Sequence, residues 1–279
     1  MLEPRRPSAR SRESASVYRG RVSAEEVVTR SVKQALYRVG FEVRRTQGRN
    51  DLEKRLWPRN ARDERHLKAI LAARLTSRSN CIDVGAFEGR MVADMVRLAH
   101  EGRHLAFEPI PKLAASLRAQ FPSIEVHEVA LSDRSGTAEF GVVPDSMGLS
   151  GFSPSVSQAR DTERIAVEIR ALDDFLGDTT FDVLKVDVEG AELGVFRGAA
   201  KLLGTARPLI TFEHTRVVFD VDGATLGEVD LESNAGIFGL LAGLGYRLFD
   251  LDGIGPLDET EFRRLYETAE RFNFLAVPS

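Results

Sequence analysis

Short apolar runs alternate with helical patterns along the chain after Ser79. The apolar runs have the length and composition of strands, and between them apolar residues recur at three- and four-residue spacing. The predicted strands are 80–84, 103–107, 124–129, 182–187, 208–213, 246–250 and 272–277, and the predicted helices are 89–101, 111–120, 190–203 and 234–243. This alternation predicts an α/β fold with a doubly wound, seven-stranded, mainly parallel Rossmann-like sheet, whose last two strands form an antiparallel edge pair.

The stretch between residues 135 and 170 departs from this alternation. Extended pieces are predicted at 137–143 and 165–169, on either side of a loop rich in Gly, Ser and Pro at 144–160. Apolar side chains in the loop, including Phe152, could anchor it. Its position after the third strand favours a lid or pocket wall, although a plain surface loop has the same composition.

The first 78 residues carry a different set of signals. Residues 1–20 lack periodicity, so we predict a basic leader that is disordered or weakly ordered. Ser23 and Glu26 form a capping box for a helix ending near Gly40, and a second helix is predicted over 63–75. The predicted organisation is a leader at 1–20, a helical extension at 21–78 and an α/β domain at 79–279.

Charge is unevenly distributed around a net value of −4. Residues 1–78 hold 20 Lys and Arg against 9 Asp and Glu, whereas the remainder holds 18 against 33. A basic arm can meet nucleic acid, an anionic membrane or an acidic partner. Its four aromatic residues, Tyr18, Tyr37, Phe41 and Trp57, are too widely spaced to form a platform for base stacking. We therefore expect a solvated arm and no nucleic-acid partner.

Membrane and redox signals are weak. No apolar run approaches the roughly 18 residues of a spanning helix, so we expect no transmembrane segment. The basic N-terminus is not followed by the apolar segment of a signal peptide. The single cysteine, Cys81, cannot form an internal disulfide, and a cytoplasmic location is the expectation.

A glycine-rich bend follows the first predicted strand. Gly85 and Gly89 let the backbone turn tightly and approach a ligand. Phe87 stands where a dinucleotide-binding G-x-G-x-x-G motif needs glycine, and no P-loop Lys-Ser/Thr follows. The pattern therefore favours a ligand without phosphates at the carboxyl ends of the strands, and S-adenosylmethionine fits this description.

The second strand ends in Glu108, whose two oxygens suit the two hydroxyls of a ribose. Ala130 and Leu131, after the third strand, could flank an adenine ring. Asp83 is interpreted as orienting the bend or meeting the ligand's ammonium group. The predicted cofactor-binding residues are Asp83, Gly85, Ala86, Phe87, Gly89, Glu108, Pro109, Ala130, Leu131 and Asp187.

At this point the sequence resembles the FkbM family of S-adenosylmethionine-dependent methyltransferases. The resemblance covers about residues 80–215 and implies a methyltransferase fold that transfers methyl groups to a hydroxyl of a sugar, glycolipid or polyketide. Phe87 departs from the family, which often has Asn there, and this puts one loop contact in doubt. The motifs that carry the resemblance are 83–86, 106–109, 130–136, 172–174 and above all Lys-Val-Asp-Val-Glu-Gly-Ala-Glu at 185–192.

Carboxylates and an imidazole follow the fourth and fifth strands. Methyl transfer to an alcohol needs a group that removes the hydroxyl proton, and His214 has the ordinary pKa best suited to that task. Glu192 is interpreted as structural, in the first turn of a helix. Lys185 is expected to pair with a carboxylate or to reach the surface. The predicted catalytic residues are Asp187, Glu189, Glu213 and His214.

Three alternatives stay open. The four predicted catalytic residues could instead hold Mg²⁺, although their spacing is not diagnostic and a metal is not favoured. A nicotinamide-dependent oxidoreductase has a related architecture, but a loop glycine is misplaced and Tyr-x-x-x-Lys is missing. A non-catalytic module could dock nucleic acid through its basic arm. Oligomeric state and the identity of the acceptor do not follow from the sequence.

Overall fold

The computed structural model describes residues 51–143, 150–152, 162–215, 217–220, 223–226 and 230–279. All of them belong to one unit, Gly48–Ser279. The predicted leader at 1–20, the predicted helix ending near Gly40 and most of the loop at 144–160 lie outside the described residues. Within the described part, no helix is both long enough and apolar enough to cross a bilayer.

Seven strands form the central sheet, and its spatial order is β11-β12-β8-β7-β1-β2-β3. Five neighbouring strands, from β8 to β3, run parallel. Each of the seven overlaps a predicted strand, so the predicted sheet is confirmed. The strands are β1 (Cys81–Val84), β2 (His104–Phe107), β3 (Glu125–His127), β7 (Val183–Val186), β8 (Leu209–Glu213), β11 (Tyr246–Asp250) and β12 (Asn273–Pro278).

The predicted antiparallel pairing of the last two strands is also confirmed. β12 pairs antiparallel with both β11 and β8, so it lies inside the sheet and β11 forms the edge. In this register Asn273 is directly opposite Glu213, at the carboxyl end of β8. The antiparallel strand therefore borders the edge at which the parallel strands end.

A second, three-stranded sheet lies in the stretch that departs from the main alternation. Its order is β4-β6-β5, with β5 and β6 antiparallel. The predicted extended pieces correspond to β5 and β6, whereas β4 was not predicted. A two-stranded ribbon, β9 with β10, was also not predicted. These strands are β4 (Ala130–Leu131), β5 (Gly136–Val142), β6 (Glu163–Arg170), β9 (Val217–Asp220) and β10 (Gly223–Leu226).

The helices predicted within the described residues are present, with two differences in extent, whereas a further helix at Glu259–Glu267 was not predicted. The helix predicted over 63–75 begins much earlier, at Asp51. Its first part was not predicted because it contains Pro58, which is rare inside helices, and many charged residues. Its predicted apolar residues Ile70 and Leu71 pack with buried residues of the sheet. The helices are α1 (Asp51–Arg74), α2 (Arg90–Leu98), α3 (Pro111–Gln120), α4 (Glu192–Arg197), α5 (Ala200–Thr205), α6 (Leu231–Gly243) and α7 (Glu259–Glu267).

The single helix predicted over 190–203 is two helices, α4 and α5, separated at Gly198. A Cβ at Gly198 would lie 2.0 Å from the carbonyl oxygen of Ser132, so this position accepts only glycine. The helix backbone at Gly198 therefore lies against the loop after β4. α4 is a short element that follows β7, with Glu192 in its first turn.

Candidate active site

The bend after β1 is built from backbone that only glycine fits. Gly85 has a φ of 76°, and a Cβ there would lie 1.8 Å from the carbonyl oxygen of Asp187. Gly89 has a φ of 82° and precedes α2. The N–H groups of Gly85 and Ala86 both donate to the carbonyl oxygen of Phe107, at 3.0 and 3.1 Å. The bend is therefore held against the ends of β2 and β7.

Glu108 joins this bend to the segment after β2. Its Oε2 accepts a hydrogen bond from the N–H of Phe87, and its Oε1 accepts one from the N–H of Ile110, each at 2.9 Å. Burial raises the pKa of Glu108, and the two backbone hydrogen bonds oppose that shift. Each carboxylate oxygen can accept a further hydrogen bond, and Glu108 lines the adjoining cleft.

A cleft lies between the central sheet and the three-stranded sheet, beside the bend. Among the predicted cofactor-binding residues, those that line it are Gly85, Phe87, Glu108, Pro109, Ala130, Leu131 and Asp187. Asp83, Ala86 and Gly89 do not line it. Asp83 is fully buried, and Lys185 lies between its carboxylate and the carbonyl oxygen of Gly85.

The small sheet contributes an aromatic wall to this cleft. Phe140 of β5 packs edge-to-face on Phe152, with ring centroids 5.0 Å apart, and both side chains line the cleft. Phe152 belongs to the loop that was predicted as a pocket wall, whereas Phe140 was not predicted to line the cleft. Phe140 lies in the buried second half of β5. This burial depends on packing against segments distant in the sequence, so no local pattern marks Phe140.

Gly151, the residue before Phe152, lies close to the segment that follows β7. Its N–H and C=O both form hydrogen bonds with Gly141 of β5, at 3.0 and 3.1 Å. A Cβ at Gly151 would stand 3.3 Å from the Cβ of Glu189. The small sheet thus abuts the segment after β7.

Lys185 connects the bend with the end of its own strand. Its Nζ donates to the carbonyl oxygen of Gly85 at 3.1 Å and lies 3.3 Å from Asp83 and 3.2 Å from Asp187. The two carboxylates raise the pKa of Lys185 despite its burial, while burial raises the pKa of Asp83. The prediction that Lys185 pairs with a carboxylate is therefore confirmed.

Three carboxylates meet at the carboxyl ends of β7 and β8, and we call them the acidic cluster: Asp187, Glu189 and Glu213. Each offers an oxygen within 4.8 Å of the other two. Burial raises the pKa of Glu189 and of Glu213 well above 4.5, and the nearby charge of Asp187 raises both further. Lys185 opposes this trend. The structure brings these three predicted catalytic residues together.

Such a cluster can do two kinds of chemistry. Carboxylate oxygens at this spacing suit a hard cation such as Mg²⁺, so the metal hypothesis keeps three of its four proposed ligands. A carboxylate with a raised pKa is also a better proton acceptor at neutral pH than an ordinary one. Asp187 and Glu189 line the cleft, so either chemistry would occur beside it.

His214, the fourth predicted catalytic residue, is directed elsewhere. Its side chain is 3% exposed and does not line the cleft. Its Nδ1 lies 3.3 Å from an oxygen of Glu192, and its ring stacks on Tyr266 with centroids 4.5 Å apart. Glu192 is buried as well, and its other oxygen accepts from the N–H of Gly190 at 2.9 Å.

Comparison with known families identifies the arrangement. The family model described as the Methyltransferase FkbM domain matches residues 83–248, which is more than half of the chain. The chain belongs to the FkbM methyltransferase family. This family match begins in β1 and ends in β11, so it includes the bend, Glu108 and the acidic cluster, whereas α1 precedes it.

Two curated proteins are similar to this FkbM-family chain. "2-O-methyltransferase NoeI" of Sinorhizobium fredii is 28% identical over 148 residues, which is 47% of this chain and 61% of that protein. "Methyltransferase 1" of Beauveria bassiana is 26% identical over 141 residues, which is 42% of this chain and 57% of that protein. The chain thus spans about three fifths of the length of these curated relatives.

Solved structures are similar at low identity. The FkbM methyltransferase of Methylobacillus flagellatus is 16% identical, with a TM-score of 0.45 over 73% of this chain and 44% of that one. A TehB-like SAM-dependent methyltransferase of Corynebacterium glutamicum is 12% identical, with a TM-score of 0.40 over 91% of this chain and 97% of that one. The family assignment rests on the family model and not on these structures.

Proposed function

We propose that this FkbM-family protein transfers a methyl group from S-adenosylmethionine to a hydroxyl oxygen of a small molecule. The observation that carries the proposal is one cleft bordered by two different sets of groups. The bend and Glu108 line it, and so do Asp187 and Glu189 of the acidic cluster. A nucleoside cofactor and a proton acceptor would then meet in the same cavity.

The residues around the cleft fit the cofactor. The oxygens of Glu108 keep acceptor capacity for the two ribose hydroxyls, as a neutral side chain would not. Ala130 and Leu131 offer an apolar surface for the adenine ring. Gly85, Phe87 and Pro109, which were also predicted as cofactor contacts, border the same cavity.

When bound, S-adenosylmethionine supplies a methyl group on a positively charged sulfur that an oxygen nucleophile attacks in line. The protein must hold the acceptor hydroxyl nearby and take its proton. We assign the role of accepting the hydroxyl proton to Glu189 or Glu213. Their raised pKa values make them better proton acceptors near neutral pH than an ordinary carboxylate. Asp187 and Lys185 would orient the cluster.

Sugars, glycolipids and polyketides are the acceptor classes that we propose. The similarity to a protein named as a 2-O-methyltransferase supports transfer to oxygen. The oxidoreductase alternative requires a nicotinamide dinucleotide in the same cleft. The alternative of a non-catalytic module requires nucleic-acid binding through the basic arm at the N-terminus. Both alternatives make predictions that binding experiments can separate.

Calorimetry with S-adenosylhomocysteine, the reaction product, tests the proposal directly. We expect micromolar affinity, in line with about 8 kcal/mol of binding free energy, and no binding of NAD. Glu108→Ala should weaken binding by about 1–3 kcal/mol, the cost of losing a charged hydrogen-bond acceptor. The matched control is Glu128→Ala, which removes an exposed acid paired with Arg118 near the end of the neighbouring strand.

Three results would contradict the proposal. Binding of NAD without binding of S-adenosylhomocysteine would favour the oxidoreductase. Equal affinities for the Glu108 and Glu128 variants would remove Glu108 from the ribose site. A salt-sensitive complex with DNA or RNA, in a protein that ignores S-adenosylhomocysteine, would favour the non-catalytic module.

A further inference from the structure

A buried pair of side chains lies behind the acidic cluster, away from the cleft. Glu192, in the first turn of α4, is 1% exposed, and His214, directly after β8, is 3% exposed. The His214 Nδ1 lies 3.3 Å from the Glu192 Oε2. Each residue is a close neighbour in sequence of one member of the cluster, Glu189 or Glu213. The pair therefore links the ends of β7 and β8 outside the sheet ladder.

On the β7 side, the link acts on the backbone of Glu189. The Glu192 Oε1 accepts from the N–H of Gly190 at 2.9 Å. Glu189 has a φ of 53° and Gly190 has a φ of 99°, so two successive residues hold left-handed conformations. A side chain such as that of Glu189 rarely adopts this conformation unless its surroundings enforce it. The hydrogen bond from Gly190 is one such restraint.

On the β8 side, the imidazole is fixed in place. The His214 N–H donates to the carbonyl oxygen of Phe272 at 2.7 Å. Its ring stacks nearly parallel on Tyr266, and it lies 5.9 Å from the ring of Phe262, one turn earlier on α7. The Nε2 is buried and has no hydrogen-bond partner among the described residues. The ring therefore offers only its Nδ1 to the site.

We propose that Glu192 and His214 are positioning residues that hold Glu189 and Glu213 at their short separation. This inference rests on the proposed function, because it is the proton acceptor of that reaction that they would position. It replaces the expectation that His214 itself takes the proton. His214 acts through Glu192, and Glu192 acts through Gly190 on the conformation of Glu189.

Two substitutions of His214 distinguish this role from that of a base. Asparagine places an amide nitrogen near the position of Nδ1 and can still donate to Glu192, whereas glutamine places its amide near the position of Nε2. We expect His214→Asn to behave as the parent protein does. His214→Gln should release the loop that carries Glu189, and so should Glu192→Gln, which leaves only one oxygen to accept both hydrogen bonds.

The readout is the titration of the cluster, which needs no acceptor. Carbon NMR of protein labelled at glutamate side chains, recorded with chelator, follows Glu189 and Glu213, and glutamine variants assign their signals. In the parent protein and in His214→Asn, both pKa values should stand well above 4.5. In His214→Gln the pKa of Glu189 should fall toward 4.5, because the released loop would expose this carboxylate to water and move it away from Asp187.

Folding and cofactor binding serve as controls. Thermal unfolding and calorimetry with S-adenosylhomocysteine should show that His214→Asn and His214→Gln are both folded and binding-competent. An unchanged titration in His214→Gln would overturn the proposal, and so would equal shifts in the asparagine and glutamine variants. If His214→Gln fails to fold, Glu192→Gln provides the same test. A parent protein that ignores S-adenosylhomocysteine would refute the proposed function instead, whatever the titration shows.

Discussion

The bend after β1 and the acidic cluster lie at neighbouring strand ends but are built in opposite ways. At the bend, each carboxylate has groups of opposite polarity beside it: Glu108 accepts two backbone hydrogen bonds. Asp83 has no hydrogen-bond partner among the described residues but lies 3.3 Å from the Lys185 ammonium. In the acidic cluster, three like charges are gathered within 4.8 Å. The bend should therefore contribute to the stability of the fold, whereas the cluster should reduce it in exchange for reactivity. Substitutions can test this difference.

The largest expected loss of stability follows replacement of Gly85 by alanine. The added Cβ would lie 1.8 Å from a carbonyl oxygen at a φ of +76°, so the backbone of the bend must move. We expect the free energy of unfolding to fall by about 4 kcal/mol or more, measured by urea denaturation. Gly177→Ala is the matched control, since its φ is +58° but nothing lies within 4 Å of the added atom. It should cost about 1 kcal/mol, and equal losses would contradict the packing explanation.

Replacement of Lys185 by methionine should lower the free energy of unfolding by about 3 kcal/mol, which is less than the loss expected for Gly85→Ala. The substitution leaves the carboxylate of Asp83 buried opposite an apolar side chain. The double variant Lys185→Met, Asp83→Asn carries no buried charge at this point, so it should recover most of the loss in urea denaturation. A double variant no more stable than Lys185→Met would show that the ion pair is not the cause.

The smallest expected effect on stability is in the acidic cluster, where a substitution should raise the free energy of unfolding. Because the pKa of Glu213 is raised above 4.5 in the folded protein, its contribution to stability is present below 4.5 and is lost as pH rises through the folded value. Glu213→Gln should therefore raise the free energy of unfolding by about 1 kcal/mol near pH 8, with little gain near pH 4. Thermal unfolding across this range measures it.

Glu128→Gln is the control for this pH series. Glu128 is an exposed acid paired with Arg118, so its replacement should give no gain that grows with pH. A Glu213→Gln variant that is less stable than the parent at every pH would mean that the cluster stabilises the fold. The contrast between the two regions would then be wrong.

The sequence predicted the bend well because its determinants are local. Gly85 follows the last residue of β1, and Glu108 follows the last residue of β2, and parallel strands bring such positions to one edge. The same reasoning brought Asp187 and Glu213 together on neighbouring strands. Strand order therefore settles which strand ends are neighbours, although it does not settle the direction of each side chain.

What the sequence did not predict depends on packing between distant segments. Phe140 lines the cleft because β5 pairs with β6 in a separate sheet, and no local pattern marks it. His214 follows β8 directly, as Glu213 ends it, yet its ring turns toward Glu192 and Tyr266. Successive side chains of a strand point to opposite faces, so adjacent residues can serve different purposes. Charge and pKa alone favoured His214 as the base.

Gly151 sets a rule for protein engineers who wish to graft a new connection between β5 and β6. A donor segment with valine or leucine at this position would push on Glu189, because even a single methyl group would stand 3.3 Å from its Cβ. The chimera would have a lower turnover rate because the carboxylate of Glu189 is displaced. An experimenter could mistake this lower rate for a poor fit between the grafted segment and the substrate. Retaining glycine at 151 separates these two effects.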